Sequence, residues 1–254
     1  MYLCYKGSPA ELHIVDQFML QMCRIPDLCP RLDTLLLIRE LPTYMRDLQP
    51  LIIQKIRACR QLLLSQAFPA VLAYILVMGN ILNETTGKGK AKGFQLSTLR
   101  KMSQLVSRER SFTFLHALVE QILLQEPDLV TFSQELTEFE AVPGASIKGL
   151  NAEVDVLSRQ LETIHQYRKS FRSKYHKGSG SEEQFLKDLK EIADQYSMQH
   201  ATLAKGAAEM KKLYSEVVQR FGEAEEQDSQ EMFGWISSFM KDFHKAYVDI
   251  RGSH

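Results

Sequence analysis

Residues 150–164, "LNAEVDVLSRQLETI", place Leu150, Val154, Leu157, Leu161 and Ile164 at steps of four, three, four and three. That spacing puts one narrow apolar stripe on an α-helix and leaves charge on the other faces, the pattern of a coiled-coil seam. A strand would need alternation, which is absent. The same stepping returns in Phe185, Leu189, Ile192 and Tyr196 and holds register through Leu203, Met210, Leu213 and Val217, with Gln199 and Gly206 at the skipped seam positions. Between the two runs lies "KGSGSEE", a turn with Ser181 as an N-cap. The spacing therefore predicts two long helices folded back as an antiparallel pair. "FGEAEEQDSQ" should end the second. "EMFGWISSFMKDFHKAYVDI" then aligns Phe233, Ile236, Phe239, Met240, Phe243 and Tyr247 on one face, which reads as core.

Working back toward the N-terminus, helical spacing persists and no convincing strand appears. "SPAELHIVDQFMLQMCRI" opens with Ser8 as N-cap and Pro9 at the first helical position. Pro26, Pro30, Pro42, Pro50, Pro69, Pro127 and Pro143 read as helix boundaries, so "PRLDTLLLIREL" and "PLIIQKIRACRQLLLSQ" are expected to be separate helices. "FPAVLAYILVMGNILN" is apolar on nearly every face and predicts a buried central helix, with Gly79 where a neighbouring backbone comes close. "LSTLRKMSQLV", "SFTFLHALVEQILLQ" and "LVTFSQELTEF" predict three more. The fold class is all-α: an elongated helical domain with a globular helical part and a long antiparallel coiled-coil hairpin. One domain covers 1–254, divided into 1–145 and a coiled-coil hairpin with closing helix over 146–250.

The 254 residues carry 31 Lys+Arg and 31 Asp+Glu, so no global field draws the chain to nucleic acid or to a membrane. From Glu84 to Arg110, however, seven basic residues face two acidic ones, a local excess of +5. Four scattered cysteines without C-x-x-C spacing suit a reduced, cytoplasmic chain. No apolar stretch reaches the ~18 residues of a membrane span. The loop "GNILNETTGKGKAKGF", residues 79–94, is rich in glycine and lysine, but no glycine is followed by Lys-Ser or Lys-Thr, and its glycines miss the dinucleotide spacing. It also lacks the interleaved aromatics that stack bases. No histidine lies in a metal or nucleophile-base motif, and G-x-S-x-G is absent. The expectation is a non-enzyme with no catalytic, cofactor or metal residues.

"LVMGNILN" followed by "GF" resembles the G-N-x-x-N…G-F signature of the formin homology 2 domain. "FMLQMCRIPDLCPRLDTLLL", "GFQLSTLRKMSQL…SFTFLHALVEQIL" and "FGEAEEQDSQEMFGWISSFMKDFHKAY" are similar to the family's segments in the same order. The resemblance implies a helical actin-binding domain of the cytoskeleton. Such domains nucleate filaments and stay on the growing barbed end as a head-to-tail homodimer, in which an N-terminal lasso of one subunit wraps the post of the other. The resemblance places residues 1–145 at the end of the knob and the post. It makes Gly79, Asn80, Asn83, Gly93 and Phe94 the post surface that receives a lasso. Arg100, Lys101, Val106, Arg108 and Arg110 become candidate actin contacts.

The chain departs from the family pattern in three ways. It reads as beginning inside the domain, after the lasso, the linker and the early knob. Ile81 stands where the signature usually has an aromatic. Val106 stands where many members carry an actin-contacting lysine, which implies weakened assembly. The alternative is a helical scaffold or coiled-coil module without actin assembly activity.

Overall fold

The computed structural model describes residues 7–87, 89–107, 112–140, 144–174 and 180–252. Among the described residues eight α-helices follow in order: α1 (Ile14–Cys23), α2 (Leu28–Leu64), α3 (Ala67–Leu82), α4 (Leu99–Met102), α5 (Phe114–Gln125), α6 (Ile147–Lys174), α7 (Gly180–Phe221) and α8 (Ser229–Gly252). Short 3-10 turns link them, and the pairing between Val106 and Thr113 is an isolated antiparallel bridge rather than a strand. The chain is all-α, as its spacing predicts.

Contacts divide it into two compact units, each built from two separate stretches: Met1–Asp47 with Glu153–Leu203, and Leu48–Ala152 with Ala204–His254. Helices α2, α6 and α7 contribute to both. The units are interleaved in sequence rather than consecutive.

In the first unit the heptad pairing is antiparallel. Phe171 meets Phe185 edge-on with centroids 5.9 Å apart, His165 Nε2 lies 3.1 Å from the Ser197 hydroxyl, and His200 Nε2 lies 3.2 Å from the Val154 carbonyl. Rising positions on α6 thus meet falling ones on α7. Val154, Leu157, Leu161, Ile164 and Leu189 are all buried. Gln199, at a skipped seam position, is exposed, and its neighbour His200 turns inward instead. The start of α2 joins this pair. The Arg31 guanidinium lies 3.8 Å over the Phe185 ring, and Lys174 pairs with Asp27 at 3.2 Å. The first α-helix does not start at Ser8. A 3-10 turn over Pro9–Glu11 comes first, Leu12 is extended, and α1 is capped by His13, whose Nδ1 accepts from the Val15 amide.

α2 corrects the reading of the prolines. Its 37 residues run through Pro42 and Pro50 without a break. Each ring nitrogen lacks a hydrogen for the carbonyl four residues back, at Ile38 and Arg46. Burial of Leu41, Met45, Ile52 and Ile56 on either side holds the helix together across those two lost bonds. Proline propensity is local, and packing on both flanks overrides it.

The second unit has an aromatic core. Phe132 packs edge-on against Phe243 at 5.1 Å and lies against Phe68 and Phe239, while Phe139 and Tyr214 both meet Phe233 nearly at right angles. α8 supplies most of it: Phe233, Ile236, Phe239, Met240 and Phe243 are buried, and Tyr247 is half-buried. Gly222, at φ 67°, ends α7 in the left-handed region that glycine enters freely. Asp228 then accepts from the Gln230 and Glu231 amides at the first turn of α8.

Candidate partner-docking surface

α3 is not a buried central helix. Phe68, Val71 and Ile75 are buried on one side, while Val77, Leu82 and Ile81 (64% exposed) stand in solvent. An apolar composition on every face allowed a fully buried helix. The structure buries a single face and leaves the opposite stripe uncovered.

The start of α3 is fixed from another element. The Glu135 carboxylate accepts from the Ser65 hydroxyl at 2.5 Å and from the Gln66 and Ala67 amides at 3.1 and 3.2 Å. These donors, led by the Ser65 hydroxyl, hold its pKa below the ordinary glutamate value. A carboxylate here satisfies amides that α3 cannot pair internally.

At the other end of α3 the glycine-lysine loop is clasped to the helix. The Asn80 side chain pairs with the backbone of Ala91 in both directions: Nδ2 donates to its carbonyl and Oδ1 accepts from its amide, each at 2.9 Å. Asn83 Nδ2 donates to the Gly79 carbonyl at 2.8 Å, closing the helix end. Gly87 takes φ 73° at the turn. The close backbone approach expected at Gly79 falls at Gly89 instead, where a Cβ would sit 2.6 Å from the Asn80 carbonyl oxygen and 2.7 Å from Glu84 Cα. A Cβ on Gly79 or Gly93 would meet nothing within 4 Å. Any steric need for glycine at those two positions lies outside the described chain.

Gly93 and Phe94 line a small apolar recess with Pro69, Leu72, Leu76 and Phe221. The loop's way out of it is pinned by Glu223, whose carboxylate accepts from the Leu96 amide at 2.6 Å. So Gly79, Asn80 and Asn83 gather at the helix end, and Gly93 with Phe94 at the recess beside it.

The helix expected over residues 96–106 is a 3-10 turn followed by one α-turn, α4. Arg100 and Lys101 on it are exposed while Leu99 and Met102 are buried. Val106 is not at a helix end. It sits in the isolated bridge, 51% exposed. Arg108 and Arg110 lie outside the described residues. Lys90 and Lys92 add exposed cations on the clasped loop.

Among the described residues no group of three His, Cys, Asp or Glu is placed to hold a metal. Burial pushes the Cys59 thiol up to about 12, far from the thiolate a nucleophile needs. Among the described residues no single helix is long and apolar enough to cross a membrane.

Gly89, Glu135 and the Thr113–His116 cap are the structural residues that sequence reading missed. Glu135 reaches Ala67 across 68 residues and Gly89 reaches Asn80 across nine, so no local spacing marks them. Thr113 and His116 do have capping-box spacing, with histidine in place of the usual Glu or Gln.

The described chain is all-α, with an exposed apolar helix end that carries a clasped basic loop. The chain belongs to the formin homology 2 family: the model described as "Formin Homology 2 Domain" matches residues 1–244. Formin-H of Dictyostelium discoideum is 26% identical over 249 residues, covering 97% of this chain and 23% of that protein. Protein diaphanous homolog 3 of Homo sapiens is 25% identical over 214 residues, 84% of this chain and 18% of that one. Formin-like protein 21b of Arabidopsis thaliana is 26% identical over 162 residues, 64% and 40% respectively. The chain thus spans less than half the length of these relatives.

Proposed function

We propose that this chain is an actin-binding module acting in filament nucleation and barbed-end elongation in the cytoplasm, paired head to tail with a second subunit. The observation that carries the reading is the uncovered helix end of α3 beside the Phe94 recess, in a chain of the formin homology 2 family. Gly79, Asn80, Asn83, Gly93 and Phe94 are the residues on which a partner's lasso would rest. A Cβ on Gly79 or Gly93 would meet none of the described residues within 4 Å, so the surface at both is open to a partner segment. Arg100, Lys101 and Val106 are the proposed contacts for acidic actin, together with Arg108 and Arg110 of the same stretch, which lie outside the described residues. The stretch bearing them has a net charge of +5, which favours an acidic partner over short range.

The resemblance puts Val106 where many members carry a lysine; the alternative, a helical scaffold or coiled-coil module without actin assembly activity, is the reading the family match does not favour. Single-filament elongation at barbed ends decides between them. A dose-dependent change in elongation rate that Phe94→Ser abolishes, with the helical content kept, is the expected result. No change at any dose, from a folded chain, leaves the scaffold.

A further inference from the structure

The bridge that presents Val106 ends at the cap of α5, and the hydrogen bonds around it have a fixed direction. The Ser107 amide donates to the Phe112 carbonyl at 2.7 Å, and the Phe114 amide donates to the Leu105 carbonyl at 2.8 Å. Thr113, opposite Val106, donates to neither. Its amide turns the other way and donates to His116 Nδ1 at 3.2 Å. The Thr113 hydroxyl lies 2.8 Å from the same nitrogen, and the His116 amide donates back to that hydroxyl. The Phe112 ring stands 5.4 Å from the imidazole.

A backbone amide can only donate, so Nδ1 must carry the lone pair and the neutral ring must carry its proton on Nε2. That nitrogen faces Asp249 Oδ2 on α8 at 3.6 Å. The contacts at Nδ1 alone set the neutral tautomer, and the Nε2–H they leave faces the Asp249 carboxylate at a distance beyond a hydrogen bond. A glutamate, the commoner partner in such a cap, would reach the Thr113 amide but set a second carboxylate against Asp249. A neutral glutamine would keep the acceptor and the donor.

We propose that His116, as its Nε2–H tautomer, is a positioning residue: it ties the Val106 bridge to the first turn of α5 and to α8, and so orients the bridge for the actin partner. This rests on the actin reading of the preceding section. The imidazole touches no partner itself. It acts through Thr113, whose amide and hydroxyl it holds, and Thr113 fixes the register opposite Val106.

The test uses the whole 254-residue chain with His116→Ala and His116→Gln, three readouts and a melting curve for each variant. Nitrogen shifts of the His116 ring report the tautomer. Amide exchange at Ser107 and Phe114 reports the bridge. Barbed-end affinity reports the partner. The expected results are an Nε2–H ring and a roughly fivefold or greater loss of amide protection in His116→Ala, the size of a lost cap. His116→Gln should recover most of that protection, and affinity should follow the same order.

An Nδ1–H ring overturns the proposal. So does unchanged protection in His116→Ala, a glutamine variant no better than alanine, or lost protection with unchanged affinity. If the parent chain shows no barbed-end affinity, the actin reading falls. The tautomer and the exchange pattern then still decide whether His116 positions the bridge.

Discussion

Lys55 is 1% exposed, and its ammonium finds no hydrogen-bond partner within the described residues. It lies 5.4 Å from the centroid of the Phe233 ring, which offsets part of the cost of burying a cation. Burial lowers its pKa from 10.5 to about 8, with the nearby Cys59 and Asp228 pulling the other way. Above pH 10.5 the side chain is neutral in both states and contributes nothing to pH dependence. As pH falls from 10.5 to 8, the unfolded chain takes up a proton that the folded chain refuses, so stability declines. Below 8 both states are protonated and the loss stays constant, on the order of 3 kcal/mol. Lys55→Met should recover about 1–3 kcal/mol at neutral pH by filling the site without the charge. It should also flatten the slope between pH 8 and 10. Urea unfolding at pH 7 and pH 9.5 checks both, and an unchanged slope in the variant would assign the titration to another group.

At the scale of elements, the seam and the caps can be tested separately. Leu157 and Leu189 are buried at heptad positions of the antiparallel pair, and truncating either to alanine should cost ~2–5 kcal/mol. A melting curve matching the parent would remove the seam assignment. Glu135→Ala should cost about 1 kcal/mol by leaving the first amides of α3 unpaired. Since the Glu135 pKa is depressed, its contribution is present above the ordinary carboxylate pKa and fades as acid protonates it. Acid titration of the variant should lack that part of the parent's loss.

The contrast between these two elements explains what the sequence could reveal. The seam repeats every seven residues, so each apolar position supports the next and the pattern is legible locally. The Glu135 cap joins residues 68 apart, and no spacing announces it. Pro42 and Pro50 mislead for a related reason, because the packing that carries α2 through them comes from distant chain. The signature asparagines stand out in the sequence by resemblance alone, and the clasp of Asn80 on Ala91 is visible only in the geometry. The close approach was assigned to Gly79 because a glycine within an apolar helix invites it. The geometry gives that role to Gly89, ten residues on, where the loop turns back across the Asn80 carbonyl.

At the scale of the whole molecule, balanced net charge means that attraction to an acidic partner must come from local groups. Val106 is the position where one further charge tests this. Its side chain is half in solvent on the isolated bridge, so a lysine there buries no ammonium and fills no core space. The cost to the fold should be small, limited to the weaker preference of lysine for extended backbone. Arg100 and Lys101, exposed on α4, already make the neighbourhood basic. A surface ion pair contributes ~0.2–1 kcal/mol, so Val106→Lys should raise barbed-end affinity by a few-fold at most. Raising salt from low to moderate should erase most of the gain, because screening over about 10 Å removes exposed pairs first. Melting temperature should hold, which separates a contact effect from a folding effect. Equal affinities for parent and variant at low salt, with equal melting temperatures, would mean that the bridge does not face the acidic partner, and the scaffold reading would then take precedence.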